Sequence, residues 1–202
     1  MNGKRILVGV TGASGAIYAQ RLLEFLAGSD DVRETLVTIS DPARRVLKEE
    51  LALNPDANLG DFTSWLRMLP ERAARLRLLD VHDMGAEPAS GSSRLDAMAI
   101  VPCSMRTLAA VAQGLADNLL TRAADVSIKE GRRLVLCPRE TPLSAIHLEN
   151  MLRLSRLGVR IVAPNPAFYH HPENVEDLVR FIVQKIVEQL GLEFPNGIRW
   201  GQ

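Results

Sequence analysis

RILVGVTGASGAIYAQRLL, residues Arg5–Leu23, carries the strongest fold signal in the chain. Arg5–Val10 is a short apolar run, the pattern of a strand buried on both faces. Thr11-Gly12-Ala13-Ser14-Gly15 then turns the chain, and Gly15–Ala27 follows with helical spacing, placing Ile17, Leu22, Leu23 and Leu26 on one face. Strand, glycine-rich turn and helix N-terminus together form an anion cradle, because the first N–H groups of a helix lack partners and its dipole favours negative charge. The spacing Gly9-x-x-Gly12-x-x-Gly15 is not the dinucleotide G-x-G-x-x-G, and no P-loop lysine follows. The same turn can equally be structural, with Ser14 acting only as an N-cap.

Outward from this unit, short β-rich runs alternate with helical patterns. Strands are expected at Thr35–Ile39, near Leu78–Val81, and at Ala97–Val101, Leu134–Cys137 and Arg160–Ala163. Helices are expected at Pro42–Leu53, Asp61–Leu76, Met105–Gln113, Ser144–Leu157 (stopped by Gly158) and Val175–Leu190. Apolar strands separated by helices predict an α/β fold: a Rossmann-like (flavodoxin-like) doubly wound parallel sheet in three α/β/α layers. Ligands in such folds sit beyond the carboxyl ends of the strands. Met84–Arg94 is the least regular stretch and suits a functional loop.

The chain of 202 residues fits one domain, 1–202, and its 47% hydrophobic and 24% charged residues are ordinary for a globular protein. Lys and Arg balance Asp and Glu at 24 each, which leaves no net basic field for nucleic acid or an anionic membrane. No apolar run approaches the ~20 residues of a membrane-spanning helix, and the N-terminus has no signal-peptide pattern. Cys103 and Cys137 read as buried thiols of a cytoplasmic protein rather than as a disulfide framework. The neutrality is uneven: residues 122–160 hold eight basic and four acidic side chains. Such a bias reads first as a solvated helix face.

Several further motifs fall at strand ends. Ser40 ends the second strand, as a helix cap or a ligand contact, and Glu50 reads as a surface carboxylate. Ser90-Gly91-Ser92 permits close backbone approach to a ligand, or is simply a mobile loop. Pro102-Cys103-Ser104-Met105-Arg106-Thr107 brackets a helix start with hydroxyls and repeats the anion-cradle pattern. Pro138-Arg139-Glu140-Thr141-Pro142 sets an Arg–Glu pair between two prolines; the guanidinium suits phosphate, or the pair is a surface ion pair. Adjacent His170 and His171 have no Cys or carboxylate partner spaced for a metal, so no metal site is expected.

Taken in order, VGVTGASGAIYAQRLL, PASGSS, VPCSMRTLAAVA, LTRAADVSIKE, LVLCPRETPLSAIHLENMLRLS, PAFYHHPENVEDLV and the terminal IRWG resemble the flavin prenyltransferases of the UbiX/Pad type. The likeness runs from about Arg5 to Trp200 and is weakest through Leu51–Asp83. It implies an FMN-binding Rossmann-like fold assembled as a homododecamer, with active sites shared between subunits and the C-terminal tail on a neighbour. The activity implied is metal-independent transfer of a dimethylallyl group from dimethylallyl monophosphate to N5 and C6 of reduced FMN. The product, prenylated FMN, would serve a UbiD-type decarboxylase. By motif, Gly12, Ala13, Ser14, Ser40, Ser104, Met105, Arg106, Thr107 and Arg139 would hold FMN. Ser90 and Ser92 would line the prenyl-phosphate site, with Arg122, Lys129, Glu140 and Tyr169 around its phosphate; Lys185 and Trp200 complete the substrate-binding set. Ser14, Glu50, Lys129 and Glu140 are the catalytic candidates.

A departing monophosphate needs preorganised donors, which Lys129, Arg122 and Tyr169 can supply without a divalent ion. Glu140 beside a phosphate suits a proton relay, and Ser14 suits orienting a proton at N5. Two departures stand out. Many relatives have arginine where this chain has Lys185, which loses the bidentate fork, and some have tryptophan where it has Met84. Two other readings are a flavin-dependent cysteine decarboxylase and a non-catalytic FMN-binding subunit that delivers flavin to an aromatic-acid decarboxylase. The PRETP and FYHHP motifs speak against the first; Lys129, Glu140 and Tyr169, which flavin binding alone does not require, speak against the second.

Overall fold

The side chains of β1 (Lys4–Val10) alternate between two cores, as a period of two dictates. Ile6, Val8 and Val10 enter one and Leu7 the other. This computed structural model describes residues 3–51 and 73–201. β1 pairs with β2 (Val32–Ile39) on one side and β4 (Ala97–Cys103) on the other. With β3 (Leu76–Leu79), β5 (Arg133–Pro138) and β6 (Arg160–Ile161), the sheet is parallel throughout, in the order β3-β2-β1-β4-β5-β6.

Helices α1 (Ala16–Gly28), α2 (Asp41–Leu51) and α6 (Val175–Gln189) cover the first face. Helices α3 (Met105–Gln113), α4 (Leu119–Lys129) and α5 (Ala145–Arg156) cover the second. The three-layer α/β/α architecture expected from the sequence is therefore present. β3 lies two residues earlier than expected, and β6 stops before Ala163. The expected helix at Asp61–Leu76 falls outside the described residues from 61 to 72, and Leu76 itself is strand.

Helix α4 is the element that periodicity alone missed. A capping box starts it: the Asn118 side chain accepts from the Thr121 N–H at 3.0 Å, and Thr121 Oγ1 accepts from the Asn118 N–H at 3.3 Å. Leu119, Leu120, Ala123, Ala124 and Val126 face inward, which leaves Arg122, Asp125 and Lys129 toward the outside.

Strand order reverses between β1 and β4, so the loops at their carboxyl ends diverge to opposite faces and leave a crevice between them. Thr11, 1% exposed, spans that point. Its hydroxyl donates to the Pro102 carbonyl at 2.6 Å and accepts from the Ser104 N–H at 2.8 Å. Thr11→Val keeps the volume and strands both backbone groups. It is expected to lower stability by about 2 kcal/mol in urea unfolding, and an unchanged midpoint would show that other contacts hold the two loops.

Candidate active site

A cavity of about 430 Å³ opens above the crevice, lined by Gly12, Ser40, Ser104, Arg106 and Thr107, with Asp41, His82 and Asp117 farther round. That volume suits a small-molecule site. Gly12 is required by close packing: a Cβ there would lie 2.5 Å from Pro42 Cβ, so the glycine lets the first turn of α2 close on the β1 turn. Ser104 caps α3, accepting from the Thr107 N–H at 3.3 Å while its hydroxyl meets that of Thr107 at 3.1 Å. Ser40 does not cap α2 through its side chain. Its carbonyl accepts from the Ala43 N–H at 2.9 Å, and its buried hydroxyl has no partner. An unpartnered buried hydroxyl is costly, so one lining a cavity marks a place for a ligand atom. Met105 packs against the second core beneath, and Ala13 is buried in the turn, its N–H donating to the Thr11 carbonyl.

The cradle at α1 differs from expectation. Its N–H groups are not open: the Glu50 carboxylate accepts from Gly15 and Ala16, both at 2.9 Å. Gly15 takes the capping position at φ 108°, a left-handed geometry that favours glycine, and Ser14 is no cap. The Ser14 hydroxyl instead lies beside Glu50, where it favours the charged carboxylate. Burial pushes the Glu50 carboxyl up. The hydrogen bonds from Ser14, Ala16 and Gly15 and the Arg139 charge outweigh it and hold the group below the usual carboxylate range. Arg139 also keeps a buried Nε without a partner. The expected Arg139–Glu140 pair does not form among the described residues; Glu140 is exposed and accepts from the Thr141 N–H at 3.0 Å.

The loop serines and Lys129 stand apart from this edge of the sheet. Ser90 and Ser92, their hydroxyls 2.9 Å apart, precede the amino end of β4, and Lys129 precedes the amino end of β5. Thr121 lines the cavity, and Lys129 is two turns further along α4, about 12 Å at the helical rise. Lys129 is paired with Glu130, while Arg122 bonds the Ala89 carbonyl and Asp125. Tyr169 meets Trp200 edge-on at 4.8 Å, and Lys185 lies 5.5 Å over the Phe181 ring while bonding Glu188 at 3.0 Å. Met84 is exposed.

Sequence reasoning missed two polar residues that matter here. Gln184, 1% exposed, accepts from the Ile198 N–H at 2.7 Å and donates to the Ile198 carbonyl at 3.0 Å, clipping the tail onto α6 just before Trp200. His170 stacks on Phe181, its two nitrogens buried and unpartnered. A glutamine in the apolar stripe of α6 was the available signal for the first; the second was visible only as a histidine pair. Burial pushes both the Cys103 and Cys137 thiols up, as inert core cysteines require.

The flavoprotein family model matches residues 1–187. The chain belongs to this family, and relatives 41–47% identical over nearly its full length place it among the flavin prenyltransferases. Flavin prenyltransferase LpdB of Lactiplantibacillus plantarum is 46% identical over 98% of both chains. The dodecameric FMN-dependent UbiX-like decarboxylase of Escherichia coli O157:H7 is 45% identical, with TM-score 0.85 over 98% of this chain and all of the other. AnUbiX, solved with FMN and dimethylallyl pyrophosphate, is 38% identical, also with TM-score 0.85, over 99% and 98% of the two chains. The flavin prenyltransferase fold is thus shared end to end, and neither alternative reading is favoured. Among the described residues no helix is long and apolar enough to cross a membrane.

Glu50→Ala removes the carboxylate that caps α1 and is expected to cost about 1 kcal/mol in chemical unfolding at neutral pH. Because folding lowers the Glu50 pKa from its ordinary 4.5, its contribution is full above that value and lost as the pH falls through the lower folded value. The gap between wild type and Glu50→Gln should therefore close in that acid window. A gap independent of pH would show that the charge of Glu50 does not matter.

Proposed function

We propose that this chain transfers a dimethylallyl group from dimethylallyl monophosphate to N5 and C6 of reduced FMN, in the cytoplasm and without a metal ion, and that prenylated FMN then passes to a UbiD-type decarboxylase. The cavity residues fit FMN: the unpartnered Ser40 hydroxyl and the capped start of α3 with Arg106 and Thr107 suit its phosphate. The Gly12–Ala13–Ser14 backbone and the free Arg139 Nε would meet the rest of the flavin. When bound and reduced, FMN supplies the electron-rich atoms that are alkylated.

The place of Glu50, locked on the Gly15 and Ala16 N–H groups beside Ser14, carries the reading. A flavin carrier has no need of it, whereas proton handling at N5 does. Standing beside Glu50, the Ser14 hydroxyl would accept a proton from N5 and pass its own to the carboxylate. Arg139 keeps Glu50 ionised until then. Lys129, Arg122 and Tyr169 serve the departing phosphate. Since Lys129 lies at the far end of α4 from the cavity of its own chain, another copy would bring it there, in a homododecamer like that of the E. coli relative. Trp200, 78% exposed beyond the Gln184 clip, would reach a neighbour in the same way.

Anaerobic incubation with reduced FMN and dimethylallyl monophosphate, followed by mass spectrometry of the extracted flavin, is expected to show a gain of one five-carbon prenyl unit. An unmodified flavin would overturn the proposal. Ser14→Ala should retain FMN and slow the transfer about a hundredfold.

A further inference from the structure

Between the buried Pro88 and Leu95, the loop that carries Ser90 and Ser92 places no side chain in either core. Polar bonds must therefore fix its shape. Arg132, half-buried in the turn between α4 and β5, makes most of those that tie the loop to the rest of the protein. Its Nη2 donates to the Gly91 carbonyl at 2.5 Å and to the Ser93 carbonyl at 2.6 Å, and its Nη1 donates to Ser93 Oγ at 3.1 Å. One planar fork thus grips both sides of Ser92, which a lysine cannot reproduce. Arg122 holds Ala89, and Arg5 with Arg77 holds Glu87, but neither reaches the serine stretch.

The grip also sets the distance between loop and Lys129. A Cβ on Gly91 would lie 2.4 Å from Glu130 Oε1 and 2.7 Å from Lys129 Nζ, so the loop backbone rests directly against that ion pair. Lys129 is in turn tethered by Glu130. The loop that carries the two serine hydroxyls is thus held beside one ammonium by a residue that itself faces backbone carbonyls.

We propose that Arg132 is a positioning residue, holding the Ser90–Ser92 hydroxyls against Lys129 as one surface for the phosphate of the prenyl donor. This rests on the reading that these residues receive dimethylallyl monophosphate. Steady-state kinetics of the assembled protein, varying donor and reduced FMN separately, tests it. Arg132→Met is expected to raise KM for dimethylallyl monophosphate about tenfold, and Arg132→Lys to restore little of it. KM for reduced FMN stays unchanged in both. Arg133→Met, an exposed neighbour without a bond to the loop, controls for lost charge and leaves both constants unchanged. Amide hydrogen exchange at residues 91–93 should quicken in Arg132→Lys even if the methionine variant folds poorly. A lower melting temperature with both KM values intact would make Arg132 merely structural and overturn the inference. Lys129→Met separates the two failures. If it too leaves the donor KM unchanged, the reading of the loop as donor site is wrong. If it raises that KM and Arg132→Met does not, the positioning role alone is wrong.

Discussion

The Thr11 hydroxyl ties the ends of β1 and β4 together where the sheet changes direction. The centre of the cavity wall hangs from those two loops. Gly12 continues from one, and Ser104, Arg106 and Thr107 from the other. The tie satisfies a buried carbonyl and a buried N–H at the seam, where the two strand ends diverge and no ladder bond can form between the loops. Ser40 then meets the seam from β2, its N–H donating to the Val10 carbonyl, and leaves its own hydroxyl free.

Charge in this molecule is organised by local pairing. The basic excess of residues 122–160 reads from composition as a solvated face, and the family resemblance turns its Arg122 and Lys129 toward a phosphate. In the folded chain Arg122 serves Asp125 and a carbonyl, Lys129 serves Glu130, Arg132 serves the serine loop, and Arg139 faces Glu50. Each cation is held in place before any substrate arrives, which spares the reorganisation a flexible cation would need. Glu50 shows the same economy from the acidic side. It caps a helix and orients Ser14 with one carboxylate.

Much of this was legible because it is local. The strands follow from unbroken apolar runs, α1 and α3 from their glycine and serine starts, and the cavity edge from the rule that ligands sit past strand ends. What stayed hidden depends on tertiary contact. Glu50 reads as a surface carboxylate until the fold brings it back to Gly15, a separation of 35 residues. Gly12 reads as a phosphate glycine, while its missing side chain makes room for Pro42. Helix α4 was passed over because its start is a cap formed between Asn118 and Thr121 rather than a glycine or proline signal. The separation of Lys129 from the cavity is likewise topological, since a helix that starts beside the cavity ends at the opposite edge of the sheet.

That separation yields the central claim, that a working site draws Glu50 from one copy of the chain and Lys129 from another. Subunit mixing tests it most directly. Glu50→Gln and Lys129→Met proteins, each strongly slowed alone, are dissociated, combined in equal amounts and reassembled, and prenylated flavin is measured. Random mixing leaves about one site in four with both residues intact if they come from different copies, so roughly that share of wild-type activity should return. If both residues belonged to one chain, every site would carry a lesion, and a mixture as inactive as its parts would contradict the account.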